Sequence, residues 1–196
     1  MQDIIDGSDQ SLWDATLAGD TAALSELFRR HHRAVYNYCF RRVSSWAEAE
    51  DLTSGVFLEL WRTRQPLDLP SGSLLPWLIG ISTRLTHRHF RSEVRRRRAT
   101  MRLAAENTAV ERDHAERIDG QVDDERAMAE VLAAIADLPQ IDQDVIGACI
   151  FAELDYASAA EALGIPIGTV RSRLFRARAR LVRRAPHLVA LRAQHG

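Results

Sequence analysis

Residues 165–184 constrain this chain most, because seven arginines occur there without one acidic side chain. Val170, Leu174, Ala177 and Leu181 recur at i, i+4, i+7 and i+11, marking a single apolar stripe along an amphipathic helix. Arg171, Arg173, Arg176, Arg178 and Arg180 occupy the remaining faces, and an unopposed guanidinium surface suits phosphate. Just upstream, Tyr156, Ala160 and Leu163 give a shorter amphipathic turn. Gly164 can adopt the left-handed conformation that ends a helix, and Pro166 sits where another can begin. Leu154–Leu181 therefore reads as two short helices joined by a tight turn, a helix-turn-helix. In such a unit the first turn of the second helix meets base edges while its flanks hold phosphates. Thr169, Arg171, Ser172, Arg173 and Arg176 are accordingly the DNA-contact candidates. The plainer alternative is a solvated basic helix, which an acid-free run of this length argues against.

The formal net charge of −1 hides strong segregation. Residues 84–102 carry eight Arg against Glu93, or +7, and residues 165–184 carry another +7; between them, residues 103–130 hold nine acids and three Arg, or −6. All 26 basic residues are Arg, so a P-loop, which needs Lys, is excluded. Cys39 and Cys149 are isolated in apolar helical patterns and fit small core residues better than a disulfide or metal site. His87 and His89 fall on different helix faces and His31 with His32 lack ligand spacing, so no metal or cofactor is expected, and the histidines read as solvated or close to phosphate. No apolar run approaches the ~18 residues of a membrane span, and the polar start lacks a signal-peptide core, which predicts a cytoplasmic protein.

In chain order, the pattern predicts a short helix over Gln10–Ala18 and a longer one over Thr21–Val43 with Leu24, Leu27, Phe28, Val35, Tyr38 and Cys39 inward. Ser45 and Glu48 form a capping box that opens a third helix with Leu52, Val56 and Leu60 inward. Gln65–Ser73, with two Pro and one Gly, is loop. A fourth helix runs from Leu74 to about Arg98 on the stripe Leu74, Leu78, Ile81 and Leu85. Residues 99–124 read as an acidic linker reaching about 85–90 Å if extended. Helices over Glu125–Asp137 and Ile141–Phe151 then lead into the helix-turn-helix. The fold class is all-α: two small helical domains, 1–98 and 125–196, joined by the linker 99–124.

Several fragments together carry a family resemblance. ELFRRHHRAVYNY at 26–38, AEAEDLTSGVFLELW at 47–61 and PWLIGISTRL at 76–85 resemble, in order and spacing, the second region of the sigma-70 family. Leu138-Pro139, Asp144-Val145-Ile146 and the Leu163-Gly164 turn into GTVRSRLFRARARL resemble its fourth region. The chain is thus similar to the minimal extracytoplasmic-function (ECF) sigma factors, with partners in core RNA polymerase and promoter DNA and room for an anti-sigma factor. The resemblance implies that Glu50, Asp51, Ser54, Glu59 and Arg62 of the third helix dock on the polymerase clamp. It also implies that the loop Gln65–Ser73 with Trp77, Arg84, Arg88 and Arg91 serves an opened −10 element, the Trp77 indole being the one better suited to core packing. The family usually has Gln where Ser54 stands and commonly Asn where Arg84 stands. The linker would thread toward the polymerase cleft, or act as a plain tether.

The function this implies is promoter-specific initiation without covalent chemistry: duplex recognition at −35, strand capture at −10. A stand-alone helix-turn-helix regulator is the rival, and it would footprint duplex DNA without polymerase.

Overall fold

The computed structural model describes residues 7–106 and 130–184, with residues 102–106 and 184 followed as backbone only. Among these residues every regular element is helical: α1 Asp9–Leu17, α2 Thr21–Val43, α3 Trp46–Thr63, α4 Leu75–Glu106, α5 over 130–136, α6 Gln140–Ile146, α7 Tyr156–Leu163 and α8 Ile167–Arg184. The helix starts follow from local chemistry. Ser8 accepts the Ser11 N–H, Asp20 accepts those of Ala22 and Ala23, Ser45 accepts that of Glu48, and Asp155 accepts that of Ser158. Only that arm of the Ser45–Glu48 capping box is made, since the Glu48 carboxylate lies 3.5 Å from His89 on α4. Gly164, at φ +64°, ends α7 in the left-handed conformation as the sequence requires.

The core of the first half packs α1 to α4 around Trp13, Leu27, Val35, Tyr38, Val56, Leu60, Leu74 and Leu78, all fully or nearly fully buried. Two inward assignments fail. Phe28 is exposed and meets His32 and Phe57 in tilted ring contacts with centroids 4.7 Å apart, and Leu24 is only half-buried; the position between them that the core takes from this face is Leu27. The fourth helix also overruns its predicted end near Arg98 and continues to Glu106, so residues 99–106 of the expected linker are helical. Like charge alone does not break a helix whose arginines are good helix formers. The rest of that linker, the start of the helix expected from Glu125, and the tail after Arg184 lie outside the described residues.

The predicted Ile141–Phe151 helix is two pieces: α6, then a π-helical turn over Gly147–Phe151 closed by Ala152 N–H to the Gly147 carbonyl at 3.0 Å. That turn faces α2, where a Cβ on Gly147 would stand 2.6 Å from the buried Tyr38 ring. On the other side of the same interface a Cβ on Gly80 of α4 would stand 2.8 Å from the Ala162 carbonyl of α7. The two halves thus meet through a glycine on each side, which lets backbones approach where any larger residue would hold them apart. Between these contacts Asp144 of α6 accepts from Arg42 of α2 at 3.1 Å and pairs with His87 of α4 at 2.9 Å. Arg42 Nε and Nη1 are buried without another protein partner.

Candidate nucleic-acid and polymerase interfaces

The stripe Val170, Leu174 and Ala177 is buried against α6 and α7, so the opposite faces of α8 are left to solvent. Thr169 is half-buried, whereas Arg171, Ser172 and Arg176 are exposed, and Arg171 lies 5.6 Å over the Tyr156 ring at the start of α7. Arg173 behaves differently. It donates to the buried carboxylate of Asp142 on α6 at 3.0 Å, and Arg180 donates to the other oxygen of the same group at 2.7 Å. The helix predicted to be without acidic opposition therefore has one carboxylate, supplied by another helix, that staples two of its arginines. Sequence reading along α8 could not find it, because the acid is 31 residues from Arg173.

The loop between α3 and α4 is held from below by α1. The Trp13 indole donates to the Gln65 carbonyl at 3.1 Å; the Gln10 side-chain amide donates to the Leu67 carbonyl at 3.0 Å and accepts the Leu69 N–H at 3.2 Å. Asp9 accepts the Leu74 N–H at 2.8 Å and the Ser73 hydroxyl at 3.3 Å. Leu69 is buried as a plug, and Pro70, Ser71 and Gly72 form an exposed tip in which Gly72 takes φ +71°. Asp9 also meets His31 at 2.6 Å and Arg30 at 3.3 Å. Burial pushes its carboxyl up, yet the Leu74 N–H, the His31 imidazole and Arg30 outweigh that and hold it below the ordinary value. Three histidines expected to be solvated or near phosphate are thus paired with carboxylates, His31 with Asp9, His87 with Asp144 and His89 with Glu48.

Trp77 is half-buried, with its indole N–H enclosed and unpartnered, so its ring belongs to the packing at the α4 N-terminus. Arg84, Arg88 and Arg91 are exposed on one side of α4 and line two adjoining hollows against α3. The larger, about 770 Å³, takes Asp51 from α3; the smaller, about 210 Å³, takes Glu59. The polymerase-docking candidates accordingly divide. Glu50, Ser54 and Arg62 face open solvent, while Asp51 and Glu59 border the α4 arginines. Neither cysteine is poised for chemistry: burial pushes the Cys39 thiol up to about 11 and raises that of Cys149.

Comparison with known proteins supplies the family. Residues 27–96 match the Sigma-70 region 2 model and residues 128–181 the Sigma-70 region 4 model. The RNA polymerase sigma factor HrpL of Pseudomonas syringae pv. syringae is 36% identical over 141 residues, covering 72% of this chain and 75% of that protein. The ECF RNA polymerase sigma factor SigE of Mycolicibacterium smegmatis is 32% identical over 176 residues, 87% of this chain; the match spans 65% of SigE's length. Among solved structures, CnrH in complex with the cytosolic domain of CnrY aligns with a TM-score of 0.69 at 19% identity, over 92% of this chain and 99% of CnrH. RpoE bound to the anti-sigma factor NepR from Bartonella quintana aligns with a TM-score of 0.57 at 22% identity, over 85% and 96%. No helix among the described residues is long and apolar enough to cross a membrane. The two regional matches, in this order on one all-helical chain and with relatives of this identity, place the protein in the sigma-70 family as an RNA polymerase sigma factor of the ECF type.

Proposed function

We propose that residues 1–98 and 125–196 act as the core-binding and −10 domain and the −35 domain, with 99–124 between them, and that the protein initiates transcription in the cytoplasm without covalent chemistry of its own. The observation that carries this reading is that the exposed face of α8, with Arg171, Ser172 and Arg176, and the exposed loop tip with Arg84, Arg88 and Arg91 on α4 lie on one chain. The first suits phosphates and base edges of a duplex; the second suits a backbone and an unstacked base. Thr169 belongs to the same α8 surface. Arg173, stapled to Asp142, orients that surface rather than searching the groove. On α3, Glu50, Ser54 and Arg62 offer the open part of a polymerase-docking face, and Asp51 and Glu59 its edge.

Elements ~25 base pairs apart are separated by roughly 85 Å of B-form DNA at ~3.4 Å per step. On this reading the packed halves part when a promoter is engaged, and a stretch of 23 residues such as 107–129 has a fully extended length of roughly 80 Å. An anti-sigma factor, the kind of protein bound to RpoE, is a further partner that this reading admits.

Run-off transcription with core polymerase across genomic fragments tests the function: discrete start sites are expected with the protein and none without it. Specific footprints by the protein alone, with no stimulation of polymerase, would favour the stand-alone regulator. Glu50→Arg with Asp51→Arg tests docking; co-purification with core polymerase should be lost while helicity and duplex binding persist.

A further inference from the structure

We infer that α1 is a brace that sets the shape of the α3–α4 loop for strand capture, with Gln10 and Trp13 as positioning residues; this rests on the reading of that loop as the −10 site. Helix α1 lies outside the segment matched by the region 2 model, which begins at residue 27. Three of its side chains reach that loop. Trp13 grips the loop's first residue, Gln10 its middle and Asp9 its end.

Gln10 does this in a particular way. A primary amide carries both a donor and an acceptor, and here it satisfies the Leu67 carbonyl and the Leu69 N–H together, as a neighbouring peptide strand would. The bonds fix the backbone on both sides of Asp68 and hold Leu69 in its buried position, leaving Pro70–Gly72 as the exposed part. Loops carry binding groups well only when a rigid scaffold positions them, and a loop shaped in advance avoids the ordering cost at the moment of binding. Trp13 is fully buried and Asp9 also anchors His31, so both have fold roles as well; Gln10 is half-buried on the helix surface and makes no other tertiary bond among those described. It is therefore the residue at which positioning separates from folding.

The test uses the full-length chain with core polymerase on a promoter it transcribes, probed with that promoter's single-stranded −10 segment and, separately, with its −35 duplex. Gln10→Ala should weaken strand capture about tenfold, with core binding and −35 duplex binding at native levels. Trp13→Phe, which keeps one aromatic ring and removes the donor, should also weaken strand capture, with some loss of melting temperature because the smaller side chain underfills a fully buried position. Amide exchange on the free chain supplies an arm that needs no polymerase: the Leu69 N–H should exchange about tenfold faster in Gln10→Ala, as loss of one hydrogen bond of ordinary strength predicts, while α3 amides keep their protection. Unchanged Leu69 exchange overturns the brace. Faster exchange with native strand capture overturns its role in capture. An equal fall in strand capture, duplex binding and core binding shows a global loss of fold and also overturns it. If the native holoenzyme captures no −10 strand while Leu69 responds, the brace stands as a structural device and the assignment of the loop to −10 is what fails.

Discussion

Helices α4 and α8 each carry a stretch of charge +7, yet they hold their arginines in different ways. Beyond Arg91 the α4 stretch leaves the core: Arg95 to Arg98 are exposed, Val94 and Met101 project into solvent, and the one acid, Glu93, pairs with Arg96 three residues on. Helix α8 is packed along its length, and Arg173 and Arg180 are held by a buried carboxylate on α6. Equal charge therefore makes two different surfaces. The first is a solvated set of guanidinium groups with rotamer freedom; the second is a fixed register in which exposed arginines project from defined positions. Helix α6 touches both helices but holds the arginines of only one, since Asp142 serves Arg173 and Arg180 of α8, whereas Asp144 two residues later serves Arg42 of α2 and His87 of α4.

The largest effect is expected at Asp144. Its removal leaves Arg42 buried with no carboxylate, in a guanidinium that already lacks partners at Nε and Nη1; breaking such a pair costs ~3–5 kcal/mol in place. Separation of the halves lets water reach Arg42, so Asp144→Ala should raise the radius of gyration with little loss of helicity. An unchanged radius would show that apolar packing alone closes the interface.

Asp142→Ala should be milder, about 1–3 kcal/mol in the melting of the second half, because Arg173 and Arg180 are partly exposed and can hydrate. Its more telling consequence is in DNA binding. With two arginines released, the log–log salt dependence of non-specific duplex binding should steepen by up to ~2 while discrimination between promoter and random duplex narrows. If binding keeps its specificity, the staple does not set the register and α8 resembles α4 after all.

Single arginines sharpen the contrast. Arg171→Ala or Arg176→Ala should cost about 1–3 kcal/mol and alter preference at one base pair if the side chain reads a base, as measured by binding to a set of −35 variants. Arg91→Ala should weaken holoenzyme binding to all promoters alike and lower the salt slope by ~1.

The smallest effect is at the anchored end of α4. Because the Asp9 carboxyl is held below its ordinary value in the folded chain, its contribution to stability is complete above that value. It disappears as pH falls through the depressed folded value. Melting temperature should therefore drop more steeply with acidification below the ordinary carboxylate range in the native protein than in Asp9→Asn. Parallel curves would mean that the Leu74 N–H and His31 contacts do not govern the start of the helix.

Local patterns determined much of this protein. The apolar stripes of α2, α3, α4 and α8, the caps at Ser45 and Gly164, and the Gln65–Ser73 loop are interactions within a few residues, where spacing alone places side chains on a face. The exposure of Arg171, Ser172 and Arg176 followed from the same periodicity. What tertiary structure decided are the bonds between residues far apart in the chain. Asp142 removes Arg173 from the free set, Asp144 draws His87 and Arg42 together, Gln10 reaches Leu67 and Leu69 across 57 and 59 residues, and Asp51 and Glu59 turn out to border arginines. A carboxylate or an amide carries no mark of its partner in its local sequence. Its energetic role is set by which groups lose water beside it, and that depends on how the helices pack.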